Sequence, residues 1–176
     1  MVHYVKGNLL DSDCHFICHQ VNCQGKMNSG VAKSIREKWP QVYENYDKWF
    51  MSHDAWAHAH SNEEYQYTAA HSMLGKIQVV ALYEKYDLLH AADHQYVINM
   101  AAQNSYGYDG KRYTSYYAFW LCLGEIRNTV PKGTSIAFPH KIGCCRGGAN
   151  WEVIRTMIEE ALGYDYEVYI YEYDGG

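Results

Sequence analysis

The stretch "CHFICHQVNCQGKMNSGVA", residues 14–32, decides how the chain is read. It sets Cys14, Cys18, Cys23, His15 and His19 within ten residues and then enters a glycine-rich turn. On a helix, Cys14/Cys18 and His15/His19 would share a face as four-apart pairs. Phe16, Ile17 and Val21, bounded by turn formers, favour a strand instead. Alternation then sends Cys14, Phe16, Cys18 and Gln20 to one face and His15, Ile17, His19 and Val21 to the other. Neither face is a four-ligand cage, and paired Cys-x-x-Cys spacing is absent, so no metal is expected here. The cysteines read as small buried residues. The strand ends at His19 and Asn22, just before a turn that opens a helix.

Outward from this stretch, strands and helices alternate. "HYVKG" (3–7) is a strand before it, and "GVAKSIREKW" (30–39) is a helix after it, stopped by Pro40. "PQVYENYDKWF" (40–50) is a short helix, whereas residues 51–73 read as irregular. "KIQVVALYE" (76–84) and "QYVINMAAQ" (95–103) have strand character. In "SYYAFWLCLGEIRNTV" (115–130), Phe119, Leu123, Ile126 and Val130 recur in steps of four, three and four, one helical face. "SIAFP" (135–139) is a short buried strand. "NWEVIRTMIEEAL" (150–162) repeats the helical spacing at Trp151, Ile154, Ile158 and Leu162. "YEVYIYEY" (166–173) closes as a strand. The alternation predicts an α/β fold, a mixed sheet flanked by helices.

Length and composition restrict function. The chain has 176 residues, enough for one domain with a proper core. It carries a formal charge of −5 without a dense basic tract, which disfavours duplex nucleic acid. No run is long and apolar enough for a bilayer, and "MVHYVKGNLL" lacks signal-peptide features, so a cytoplasmic location with reduced thiols is expected. The 18 tyrosines imply aromatic pocket walls or packing with wet hydroxyls.

Two junctions share one physical plan. "NCQGKMNSGVAKSI" (22–35) and "FPHKIGCCRGGANWEVI" (138–154) each run from a strand end through a glycine loop into a helix. Such loops turn backbone N–H groups inward, and the helix start adds partial positive charge. Together they can clamp a diphosphate from two sides. His19, at a strand's carboxyl end, is a candidate acid/base or a packing histidine. His53, His58 and His60 in "HDAWAHAH" read as surface residues on a mobile connection. Cys144 and Cys145 line the second loop, and Arg146 is placed to neutralise a phosphate.

The order and spacing of both loops resemble the macro domain family over almost the whole chain, from "YVKGNLL" through "YVINMAAQNSYG" to "IAFPHKIGCCRGGANWEVIRTMIEEAL". The subgroup it resembles most is that of the small yeast ADP-ribose 1″-phosphate phosphatase-like proteins, which carry a His in the strand before the Asn–Cys–glycine loop. The resemblance implies a single three-layer α/β/α domain over residues 1–176, with ADP-ribose bound atop the sheet and no cofactor or metal. It places Asn8 and Leu9 by the adenine and Asn22 at the distal ribose. Gly30, Val31 and Ala32 form the first phosphate loop; Gly143, Cys144, Cys145, Arg146 and Gly147 form the second. Gln103 and Tyr106 fall near the distal end.

The implied activity is metal-independent hydrolysis of ADP-ribose 1″-phosphate, with His19 and Asn22 as catalytic residues and Asp109 or Asp11 as an acidic partner. The alternatives are a noncatalytic ADP-ribose reader and a hydrolase of another ADP-ribosyl bond, on protein, nucleic acid or O-acetyl-ADP-ribose. Asn8 departs from the Asp of many family members. The Lys–Asp pair of glutamate-directed glycohydrolases has no match near Met100, Ala101 or Gly147. The segment from His53 to His71 has no counterpart.

Overall fold

The computed structural model describes residues 1–83 and 94–173. Six strands form one sheet: β1 (Val2–Lys6), β2 (Phe16–Val21), β3 (Ile77–Ala81), β4 (Tyr96–Ala101), β5 (Ser135–Pro139) and β6 (Glu167–Glu172). Their order is β1-β6-β5-β2-β4-β3. All neighbours run parallel except β3 and β4, which are antiparallel, so the sheet is mixed as the sequence predicts. Glu84, the last residue of the strand expected over 76–84, lies outside the described residues.

Each sheet face carries its own core, which gives three layers. On one face, α4 (Tyr116–Thr129) and α5 (Trp151–Leu162) bury Phe119, Leu123, Ile126, Ile154 and Ile158 against Phe16, Cys18, Ile98 and Phe138. A fully buried Leu, Ile or Phe stabilises by about 1.5–3 kcal/mol, so these stripes fix both helices on the sheet. On the other face, α1 (Gly30–Lys38), α2 (Pro40–His60) and the short α3 (Ala70–Met73) cover Ile17, Val21, Val97 and Ala101 with Ile35, Val42, Tyr46 and Met73. Period-two alternation along β2 assigns each of its residues to one of these cores.

Two expectations change. First, the helix that starts at Pro40 runs to His60, so "HDAWAHAH" is its last two turns and not a mobile connection. Pro40 suits the first helical position, and Val42, Tyr46 and Ala57 keep a buried stripe along its length. Imidazole–aromatic packing continues it: His53 meets Trp49 edge-on at 5.8 Å, and His60 stacks on Trp56 at 4.6 Å. Second, Cys14 precedes β2, which starts at Phe16. Alternation does not govern it, and it packs beneath α1 and α2 with Cys23 rather than beside Cys18.

Candidate functional site

The carboxyl ends of β2, β4 and β5 open into a cleft of about 300 Å³. Its walls are the two glycine junctions and the loop after β4. Asn22, Gly30, Val31 and Ala32 line one side; Gly143, Cys145, Arg146 and Gly147 line the other; Gln103 and Tyr106 close one end. These ten residues, expected from the sequence, come together. His19, Asn8, Leu9 and Cys144 are not among the lining residues.

The first wall is a helix start left open. Ser29 is the N-cap of α1, yet its hydroxyl accepts no backbone hydrogen bond. The first backbone donor of the helix with a partner is Lys33, which bonds to Ser29 O at 3.2 Å. The N–H groups of Gly30, Val31 and Ala32 therefore have no protein acceptor among the described residues. Such orphan donors, backed by the helix dipole, favour an anion. Gly30 sits at φ +57°, a left-handed conformation that a side chain resists.

The second wall offers loop donors. Lys141 stands at φ +59°, the one non-glycine residue with positive φ among the described residues. Backbone bonds Ile142 N to Pro139 O (3.1 Å) and Cys144 N to Lys141 O (2.9 Å) hold that turn. The N–H groups of Gly143, Cys145, Arg146 and Gly147 have no acceptor among the described residues. Gly147 is packed tightly: a Cβ there would stand 2.1 Å from Thr114 Oγ1 and 2.3 Å from Gly143 O. Among the described residues no Asp or Glu lines the cleft, whereas Lys26, Lys141 and Arg146 do. In a chain of net charge −5, that local excess selects for a negatively charged ligand.

The floor is a locked amide network. Gln103 Nε2 donates to Ser105 O (2.9 Å), which turns Gln103 Oε1 toward Gln20. Gln20 Nε2 donates to that oxygen at 2.6 Å and to Thr114 Oγ1 at 2.8 Å. Thr114 Oγ1 in turn donates to Gly143 O at 2.8 Å. The second loop is thereby tied to β2 and to the loop after β4. Asn22 is equally engaged. Its Oδ1 accepts from Gln24 N (3.0 Å) and Tyr46 Oη (2.8 Å), and its Nδ2 donates to Lys26 O (2.8 Å). The amide shapes the first turn and leaves one N–H for the cleft.

His19 occupies a different place. It shares the β2 face of Ile17 and Val21, beneath the α1/α2 layer, and is fully enclosed. Asn99 Nδ2 donates to Gln78 Oε1 at 2.9 Å, so Asn99 Oδ1 accepts from His19 Nε2 at 2.5 Å. His19 Nδ1 then has no partner among the described residues. Burial lowers its pKa to about 4, against which the Asn99 bond acts only weakly, so the ring is neutral at physiological pH. The geometry gives His19 a role in the fold and no contact with the cleft.

Among the described residues, His140 is the histidine that lines the cleft. It follows β5, meets Trp151 edge-on at 4.9 Å, and turns Nδ1 toward Glu172 Oε1 at 3.5 Å. Its Nε2 has no hydrogen-bond partner among the described residues.

The other expected residues are spent locally. Asn8 Oδ1 accepts from Leu10 N (3.0 Å), and Leu9 is in the core. Cys144 turns its thiol to Ile142 O, and burial raises its pKa to about 11. Asp11 pairs with Lys38 (3.2 Å). Asp109 pairs with Lys111 (3.2 Å), and the Lys111 N–H and Tyr113 hydroxyl lower its pKa. Neither carboxylate lines the cleft, and residues 51–73 contribute nothing to it.

Sequence reasoning missed Gln20, Ser29, Tyr108, His140 and Lys141, all of which line the cleft. Ser29 carried a usable signal as an N-cap residue type, and "FPHK" places His140 and Lys141 at a strand's carboxyl end.

No family model matches the chain. A DNA ADP-ribosyl glycohydrolase from Thermus aquaticus is 25% identical over 174 residues, which is 98% of this chain and 41% of that protein. The chain thus spans about two fifths of the length of the curated relative it matches. The macrodomain of Mycobacterium tuberculosis DarG superposes with a TM-score of 0.69 at 21% identity, covering 97% of both chains. Thermosipho africanus DarTG in complex with ADP-ribose gives 0.67 at 18% identity, covering 97% of this chain and 41% of that one. Six strands in this order, helices on both faces and these superpositions agree: the chain has the macrodomain fold.

Proposed function

We propose that residues 1–176 act as one ADP-ribose-binding macrodomain that hydrolyses a bond at the distal ribose. The observation that carries this reading is the cleft with backbone donors on two opposed walls and, among the described residues, no acidic side chain. A diphosphate fits that arrangement: N–H groups of Gly30–Ala32 reach it from one side and those of Gly143–Gly147 from the other. Thermosipho africanus DarTG, part of which shares this fold, is solved in complex with ADP-ribose, which supports the choice of ligand. Asn8 and Leu9 remain the candidates beside the adenine. Six free cysteines suit a reducing, cytoplasmic setting.

For the reaction, hydrolysis of ADP-ribose 1″-phosphate to ADP-ribose is the first reading. His140 and Glu172 stand at the β5–β6 side of the cleft, where Glu172 O accepts from Gly7 N beside Asn8, so they serve the adenine end, and no imidazole among the described residues lines the end closed by Gln103 and Tyr106. Catalysis then rests on positioning and on charge stabilisation by the loop N–H groups. Asn22 keeps the first turn in shape and points its remaining N–H at the ribose. The likeness to a DNA ADP-ribosyl glycohydrolase favours a second reading, cleavage of an ADP-ribosyl–base bond.

Calorimetric titration with ADP-ribose and an assay of phosphate release from ADP-ribose 1″-phosphate test both parts. Binding with phosphate release supports the first reading. Binding alone leaves the reader or the glycohydrolase. No binding at millimolar ADP-ribose overturns the assignment. Retention of turnover in folded His19→Ala is the expected pattern, and its loss restores His19.

A further inference from the structure

Asn22 stands one residue beyond β2, where the chain leaves the sheet, and it lines the cleft. Its backbone carbonyl and its amide oxygen share one donor. The hydroxyl of Tyr46 lies 2.8 Å from Asn22 O and 2.8 Å from Asn22 Oδ1. A hydroxyl has one proton, so this is a three-centre bond. It closes a ring through the Asn22 backbone and side chain, and that ring fixes the amide relative to its own peptide.

Tyr46 is itself held still. It belongs to α2 and is fully enclosed in the core layer that also holds Val21, Cys23 and Met27. Its ring is tilted against Tyr43 at 6.3 Å, and the Arg36 guanidinium lies 4.1 Å over the Tyr43 ring. Burial pushes the Tyr46 pKa up, so the hydroxyl keeps its proton and donates. The other partners of the Asn22 amide are local. Oδ1 accepts from Gln24 N (3.0 Å) and Lys26 N (3.3 Å), and Nδ2 donates to Lys26 O (2.8 Å). Gln24 and Lys26 sit on the same turn as Asn22 and move with it. Tyr46 is the contact that refers the amide to a different element. An amide whose oxygen is claimed by three donors cannot turn end for end, so the direction of its remaining N–H is set.

We propose that Tyr46 is a positioning residue: through its hydroxyl it holds the Asn22 amide for the distal ribose and so sets how strongly the cleft prefers ADP-ribose to ADP. The inference rests on the ADP-ribose reading of the cleft and adds the residue that makes Asn22 selective. Tyr46 is not among the cleft-lining residues, so it acts on the ligand only through Asn22. An amide fixed before the ligand arrives spends no binding free energy on being ordered. Without the hydroxyl, that ordering falls on the binding step, and it falls only on ligands that carry the distal ribose.

Calorimetric titrations with ADP-ribose and with ADP, which lacks the distal ribose, compare the wild-type chain, Tyr46→Phe, Asn22→Ala and the double variant. Tyr46→Phe keeps the ring and deletes the hydroxyl. It is expected to lower ADP-ribose affinity about three- to tenfold and to leave ADP affinity within about twofold. Asn22→Ala should lose at least as much for ADP-ribose, and adding Tyr46→Phe to it should cost nothing further, because the hydroxyl acts through that amide. Equal losses for both ligands mark a merely structural hydroxyl and overturn the proposal. So do unchanged ADP-ribose binding in Tyr46→Phe and losses that add in the double variant. Thermal unfolding verifies that Tyr46→Phe folds. If it does not, the wild-type chain decides: the NMR signal of the buried Tyr46 hydroxyl proton should shift on saturation with ADP-ribose and not with ADP, and equal shifts overturn the proposal. Equal wild-type affinity for ADP and ADP-ribose removes the proposal while the diphosphate cleft stands. Failure to bind ADP-ribose at all removes both.

Discussion

The two glycine junctions look alike in sequence and do different work. Both run from a parallel strand through glycines into a helix. At the second, Asn150 caps α5: its Oδ1 accepts from Glu152 N at 2.8 Å, and its own N–H is taken by Tyr116 Oη at 2.8 Å. At the first, Ser29 leaves α1 uncapped. The first junction thus presents a helix terminus to the cleft, whereas the second presents its loop and keeps its helix start for stability. A capped helix gains about 1 kcal/mol of stability, and an uncapped one keeps its donors available for a ligand.

The sharpest way to break this comparison is Gly147→Ala. A Cβ there meets Thr114 Oγ1 and Gly143 O well inside contact distance, so the second wall must move. Overpacking of this kind costs about 1–3 kcal/mol. We expect ADP-ribose affinity to fall about 100-fold by calorimetry, which is some 2.7 kcal/mol, with a lowered Tm. Unchanged affinity would mean that the loop is not a phosphate wall.

The strand feeding the first junction supplies the next test. His19 is neutral when folded, with a pKa near 4, and ordinary, near 6.5, when unfolded. Below pH 6.5 the unfolded chain takes up the proton first. Stability is therefore full above pH 6.5 and falls progressively toward pH 4, by about 3 kcal/mol at most. His19→Gln should flatten that part of the profile in denaturant titrations across pH 4–7. A phosphatase pH profile that follows the His19 titration would instead return it to the chemistry.

Ser29→Asp separates stability from binding at the first junction. A carboxylate cap should raise Tm by a few degrees and weaken ADP-ribose binding about tenfold, by occupying the donors and repelling the diphosphate. A variant that is both more stable and equally competent would show that the α1 terminus is not used. Asn150→Ala is the complement and the smallest effect. It should cost about 1 kcal/mol of stability, seen in thermal unfolding, and leave ADP-ribose affinity within about twofold.

Much of the fold is legible in the sequence because it depends on local periodicity. Alternation in "FICHQV" alone separates Gln20 from His19, and the 3.6-residue stripes mark α4 and α5. The length of α2 is not legible in this way. Its last turns are rich in His, Ala and Trp and bury only Ala57, and the helix as a whole is held by packing on α1, α3 and β3.

The sequence by itself determined the alternation of elements, the two-faced burial of each strand, the glycine junctions and the resemblance those junctions carry. Those properties are set by residue size, polarity and backbone freedom over a few neighbours. Only the tertiary structure decided which donors face the cleft. That depends on which groups find partners across the chain: Asn99 claims His19 from 80 residues away, Thr114 seats Gly147, and Tyr116 satisfies the α5 junction. Partnership over such separations follows from how the layers stack. It left Ser29's helix open and brought His140, not His19, to the cleft.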